Sequence, residues 1–152
     1  MSESLPVFAA ALFFDDIRIE LGGKLSLIGQ YVGSMILPEG APPVDRLSLL
    51  FYLRFARDFM PQTLQLKILV PGQEAIKQDV SLGSGPDRSQ MPDSPFSAGI
   101  VESVIQMRFS PLRVGDNIDA WVIVDGRELP AGRLHVVSHA PTEAQATMTT
   151  VD

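Results

Sequence analysis

The stretch DRLSLLFYLRFAR, residues 45–57, decides the fold. Its odd positions Leu47, Leu49, Phe51, Leu53 and Phe55 are all apolar, whereas the even positions mix Arg46, Ser48 and Arg54 with Leu50 and Tyr52. Side chains two apart share a face only in an extended strand, so period two predicts a strand with one wholly buried side. The same period recurs. QTLQLKILV (62–70) alternates Leu64, Leu66, Ile68 and Val70 with more polar neighbours. IVESVIQMRF (100–109) sets Val101, Ser103, Ile105, Met107 and Phe109 on one side, and DNIDAWVIV (116–124) does so with Ile118, Ala120, Val122 and Val124. No stretch carries a sustained helical stripe, and twelve prolines and twelve glycines punctuate the chain at short intervals. The expectation is an all-β, antiparallel β-sandwich of about eight strands, built as a single domain over residues 1–139, with 140–152 as a flexible tail.

Turn chemistry fixes registers. Asp125–Gly126 predicts a two-residue hairpin, because both positions of that turn need positive φ. It pairs Val122 with Leu129, but leaves Leu134 and Val136 on the wrong parity. One extra residue near Pro130–Ala131–Gly132 restores them, so a bulge is expected there. At Gly22–Gly23 a three-residue loop, residues 22–24, pairs Leu21 with Leu25 and Ile19 with Leu27. LPEGAPPVD (37–45) and GSGPDRSQMPDSPFSAG (83–99) read as end loops, the second long enough to be functional or disordered.

Residues 13–33 read FFDDIRIELGGKLSLIGQYVG. Phe8, Ala10, Leu12 and Phe14 share parity with Asp16, Arg18 and Glu20, and one straight strand cannot send both sets into one environment. Either the first half is buried on both faces or the strand kinks at Phe14–Asp15–Asp16, with a bulge re-aiming Asp15. A desolvated carboxylate needs a partner, and Lys24, Arg18 or backbone amides are the candidates for Asp15. The chemical alternative makes Asp15, Asp16 and Glu20, with Arg18 and Lys24, a ligand-binding or acid–base cluster. On a straight strand Asp16 and Glu20 lie about 13 Å apart, too far for one metal ion. Val7–Phe14 is apolar on both parities, and its three alanines permit close backbone approach. It is expected at a subunit interface or in a fully enclosed strand.

Composition narrows the chemistry. The 152 residues carry a formal net charge of −6 and no cysteine. Thiolate metal sites, disulfides and cysteine nucleophiles are excluded, and an acidic chain with scattered cations disfavours nucleic acid as a partner. The N-terminal apolar run lacks a basic leader and is too short to cross a bilayer, which predicts a cytoplasmic protein without a membrane partner. His135 and His139 are four apart on a strand-like segment, too distant for one ion. Gly83–Ser84–Gly85 lacks the lysine and the strand–helix setting of a phosphate loop. Arg46, Arg54, Arg57 and Arg108 would bind an anion if a concave face collected them; otherwise each pairs with a nearby acid across the sheet. Trp121 opposes the Ile118 and Val122 face and reads as an anchor of a second layer.

The stretch from Phe13 to Gly33, followed by Pro38, resembles an uncharacterised family of small bacterial proteins that open with this strand–turn–strand signature. The resemblance covers the first quarter of the chain. It implies a small soluble bacterial domain and carries over no catalytic residue. FSPLRVGDNIDAWVIVDGRELPAGRLHV (109–136) is similar in layout to the last strand pair of immunoglobulin-like sandwiches or a related Greek key. The functional expectation is a non-catalytic interaction module that self-associates as a homo-oligomer or takes a protein partner, with no catalytic residue, no metal and no cofactor. The alternative is a small enzyme or a carbohydrate- or ligand-binding domain using Asp15, Asp16 and Glu20.

Overall fold

The computed structural model describes residues 7–56, 59–82 and 99–138. The long loop ahead of Gly99, the tail, Arg57 and His139 lie outside the described residues. Nine strands follow in order: β1 (Val7–Ile19), β2 (Leu25–Tyr31), β3 (Ser34–Ile36), β4 (Arg46–Phe55), β5 (Leu64–Leu69), β6 (Ile76–Asp79), β7 (Gly99–Arg108), β8 (Asn117–Val124) and β9 (Arg127–Val137). They form two sheets, β2–β1–β4–β7 and β3–β9–β8–β5–β6. The fold is a β-sandwich. Pairing of β4 with β7 in one sheet, and of β5, β8 and β9 in the other, matches the B–E and C–F–G strands of immunoglobulin-type sandwiches. One pair departs from the antiparallel expectation: β3 runs parallel to β9, with Met35 opposite Val136.

The core is the set of period-two positions. Leu47, Leu49, Phe51, Leu53 and Phe55 of β4 are buried, as are Leu64, Leu66 and Ile68 of β5 and Ile118, Ala120, Val122 and Val124 of β8. Together with Ile105 and Met107 of β7 they form one cluster between the sheets. The two layers meet backbone to backbone where β9 packs against β1. A Cβ built on Gly132 would stand 2.7 Å from the Ala11 carbonyl oxygen, so glycine here lets two backbones pass with no side chain between them.

The hairpin of β8 and β9 follows its sequence. Asp125 and Gly126 have φ of 49° and 79°, and Val122 pairs with Leu129. The register shifts between Ala120, opposite Gly132, and Trp121, opposite Pro130, which leaves Ala131 as the extra residue. Asp125 does more than turn the chain. Its Oδ1 accepts the Gln62 and Thr63 amides at 2.8 Å each, tying the hairpin tip to the start of β5. The turn of β1 and β2 requires a correction. Ile19 pairs with Leu25 and Ile17 with Leu27, and the Glu20 amide donates to the Lys24 carbonyl at 2.8 Å. The loop has three residues, but they are Leu21, Gly22 and Gly23. Both glycines have positive φ, 81° and 76°, so the loop centres on them and not one residue later. The slip conserves parity, so the face assignments stand.

Candidate functional site

Phe14 and Ile17 are 1% and 2% exposed, and they share one small apolar cluster with Leu50, against which Leu25 and Val104 pack. Leu50 and Val104 are cross-strand partners whose parity points away from the main core. The cluster therefore lies on the outer face of the four-stranded sheet. Residues three apart on a straight strand face opposite ways, so β1 bends between Phe14 and Ile17. The Ile17 carbonyl, swung over the sheet, accepts from Gln106 Nε2 of β7 at 3.0 Å.

The bend is not an inserted residue. Phe14 pairs with Gln30 and Asp16 with Ile28, so the register between β1 and β2 is the same on both sides. The expected bulge is replaced by an interruption of the ladder at Asp15, opposite Gly29. Gly29 has φ of 66°, a left-handed conformation that glycine adopts without steric cost. A Cβ there would collide with the Asp15 carboxylate. Both strands of the ribbon turn together at this point. A glycine inside an otherwise strand-like LSLIGQY was the available signal for it.

The candidate acids find separate partners. Asp15 Oδ1 accepts the Tyr31 hydroxyl, and not Lys24, Arg18 or a backbone amide. Asp16 Oδ2 takes Arg18 Nε at 2.9 Å, and Glu20 Oε1 takes the Ser26 hydroxyl at 2.8 Å. Lys24 is exposed at the turn, and its backbone carbonyl accepts the Glu20 amide. Among the described residues no three His, Asp or Glu side chains stand close enough to share a metal ion. His135 is exposed beside Asn117, and Trp121 is half-buried on the outer face of the five-stranded sheet, across from Lys67.

Burial, then the hydrogen bond and the charge of Asp15, push the Tyr31 phenol well above its ordinary value of 10.0. A proton kept in the folded chain and lost from the unfolded one makes stability fall as pH rises past the unfolded value. The contribution is whole below pH 10.0 and declines above it. Urea midpoints at about pH 8 and about pH 11 are expected to differ more for the parent than for Tyr31→Phe. An equal decline in both would remove Tyr31 from this role.

Two kinds of concavity accompany these residues. At one end of the sandwich the 37–45 loop meets residues 112–114 around a cavity of ≈ 450 Å³, walled by Pro38, Pro42, Pro43, Leu112 and Val114. On the outer face, beneath the bent part of β1, adjoining cavities share Asp16 and Gln106. The expectation that Val7–Phe14 is fully enclosed is corrected within a single chain. Phe13 and Phe14 are buried, but Phe8 is 59% exposed and Leu12 37%. Only β1 positions beyond Leu12 gain an outer cover, because the bend comes after Phe14. No helix among the described residues is long and apolar enough to cross a membrane. Comparison with known protein families and with curated proteins finds no match.

Proposed function

We propose that the chain is a non-catalytic β-sandwich binding module that associates with a second copy of itself through the ribbon of β1 and β2. The observation that carries this is the placement of exposed apolar side chains. Ten large apolar residues are exposed among those described, and seven of them fall between Phe8 and Val32. Single exposed apolar residues are ordinary, but a concentration on one element marks an interaction surface. β2 is also the outer strand of its sheet, so its free edge adds backbone donors and acceptors to that surface. A two-fold axis beside it would let the same patch serve both copies. The separate partners of Asp15, Asp16 and Glu20 favour this reading over acid–base chemistry. The resemblance to a family of small bacterial proteins rests on the same ribbon, which we take as that family's shared association element, working in the cytoplasm.

Sedimentation velocity tests the reading. The parent is expected to sediment as an oligomer at micromolar concentration, and a Phe8→Glu, Ile28→Lys double variant as a folded monomer with an unchanged far-ultraviolet spectrum. A monomeric parent, or a double variant that still associates, would contradict it.

A further inference from the structure

The long β4–β7 ladder contains one pair of like charge, Arg46 opposite Arg108. The Phe109 amide donates to the Asp45 carbonyl at 2.9 Å, which makes Asp45 and Phe109 a hydrogen-bonded pair. Arg46 and Arg108, one step along, hold the non-hydrogen-bonded position, where antiparallel strands bring side chains closest. Like charges placed there repel. Neither guanidinium has an ion-pair partner among the described residues. Both line a cavity of ≈ 360 Å³ with Asp16, Ser48, Gln106 and Met107. Its one carboxylate, Asp16, is held by Arg18 at 2.9 Å, so the two guanidiniums that line the cavity stand there without an ion-pair partner among the described residues. Ser48, 3% exposed, is the one buried polar residue among those described, and it lies in this wall. The adjoining cavity, ≈ 500 Å³, is walled by Ile17, Ile19 and Val104.

We propose that this groove binds a doubly charged oxyanion of the phosphate-monoester class, held between Arg46 and Arg108 with the Ser48 hydroxyl donating from the wall, its apolar substituent lying along Ile17 and Val104. A carboxylate is satisfied by one guanidinium fork, whereas a tetrahedral dianion offers separate edges to two and matches their charge. The site explains a repulsive pair that would otherwise only cost stability, on a chain whose net charge is −6. Its charged anchors, Arg46 and Arg108, lie on β4 and β7, outside the ribbon of β1 and β2, so anion binding does not depend on self-association.

The experiment compares thermal melts of the parent, Arg46→Gln, Arg108→Gln and Lys77→Gln in sodium chloride and in inorganic phosphate at matched ionic strength. Lys77 lies on β6 of the other sheet and controls for loss of one positive charge. In chloride the two arginine variants are expected to melt at or above the parent, because repulsion is relieved. In phosphate the parent and Lys77→Gln gain stability and the order reverses, with phosphate affinity about tenfold lower in each arginine variant. Succinate is expected to act more weakly than phosphate. A parent response no larger than in chloride, arginine variants that respond like the parent, or succinate matching phosphate would each overturn the assignment.

Discussion

Phe14→Ala is expected to lower the free energy of unfolding by about 3–5 kcal/mol, while Phe8→Ala on the same strand and parity costs less than about 0.5 kcal/mol when measured at concentrations where the chain is monomeric. The two phenylalanines both belong to the apolar run from Val7 to Phe14. They differ in what lies over them. Phe8 stands on the outer face with nothing folded across it and is 59% exposed. Phe14 is 1% exposed, because beyond it β1 bends and lays Ile17 across Leu50. Removing the ring would open a cavity beneath a segment held by the Gln106 bond to the Ile17 carbonyl, and a held lid collapses poorly into the space left. Chemical denaturation of the two variants measures the contrast directly. Equal small losses would mean that the outer cluster adds nothing.

Gly132→Val is expected to be the second large effect, about 3 kcal/mol or more, since overpacking here has no relaxation route. The first added carbon already stands 2.7 Å from the Ala11 carbonyl oxygen and 3.4 Å from the Phe13 ring. A flexible side chain could swing aside, but a backbone carbonyl in the middle of a paired strand cannot. The sheets would have to part where β1 and β9 cross. Thermal melts of Gly132→Ala and Gly132→Val are expected to show a graded loss, larger for valine. A valine variant as stable as the parent would mean that the sheets are not in backbone contact at this crossing.

The sandwich was legible because its strands repeat one simple signal. Leu47 to Phe55 and Ile118 to Val124 alternate cleanly, and Asp125–Gly126 and the bulge at Ala131 follow from turn chemistry and parity alone. The turn of β1 and β2 was read one residue late because two adjacent glycines satisfy two loops of equal length. The bend at Asp15 was visible as a conflict of parity, yet its means was not. That depends on the left-handed Gly29 on the partner strand and on Gln106, far away in sequence. The groove was hidden for the same reason. Arg46 and Arg108 become neighbours only when β4 and β7 pair, and Asp16 pairs with Arg18 and not with either of them. The parallel contact of β3 with β9 left no local pattern, since three residues are too few to show a period.

β1 bends at Asp15 and folds Ile17 onto the outer face of the sheet. Nuclear Overhauser contacts from the Ile17 methyl groups test this most directly. The expected result is contact with the Leu50 methyls and the Phe14 ring, with none to Leu47 or Phe13. Contacts from Ile17 into the cluster between the two sheets, with none to Phe14 or Leu50, would show a straight strand and rule out the bend.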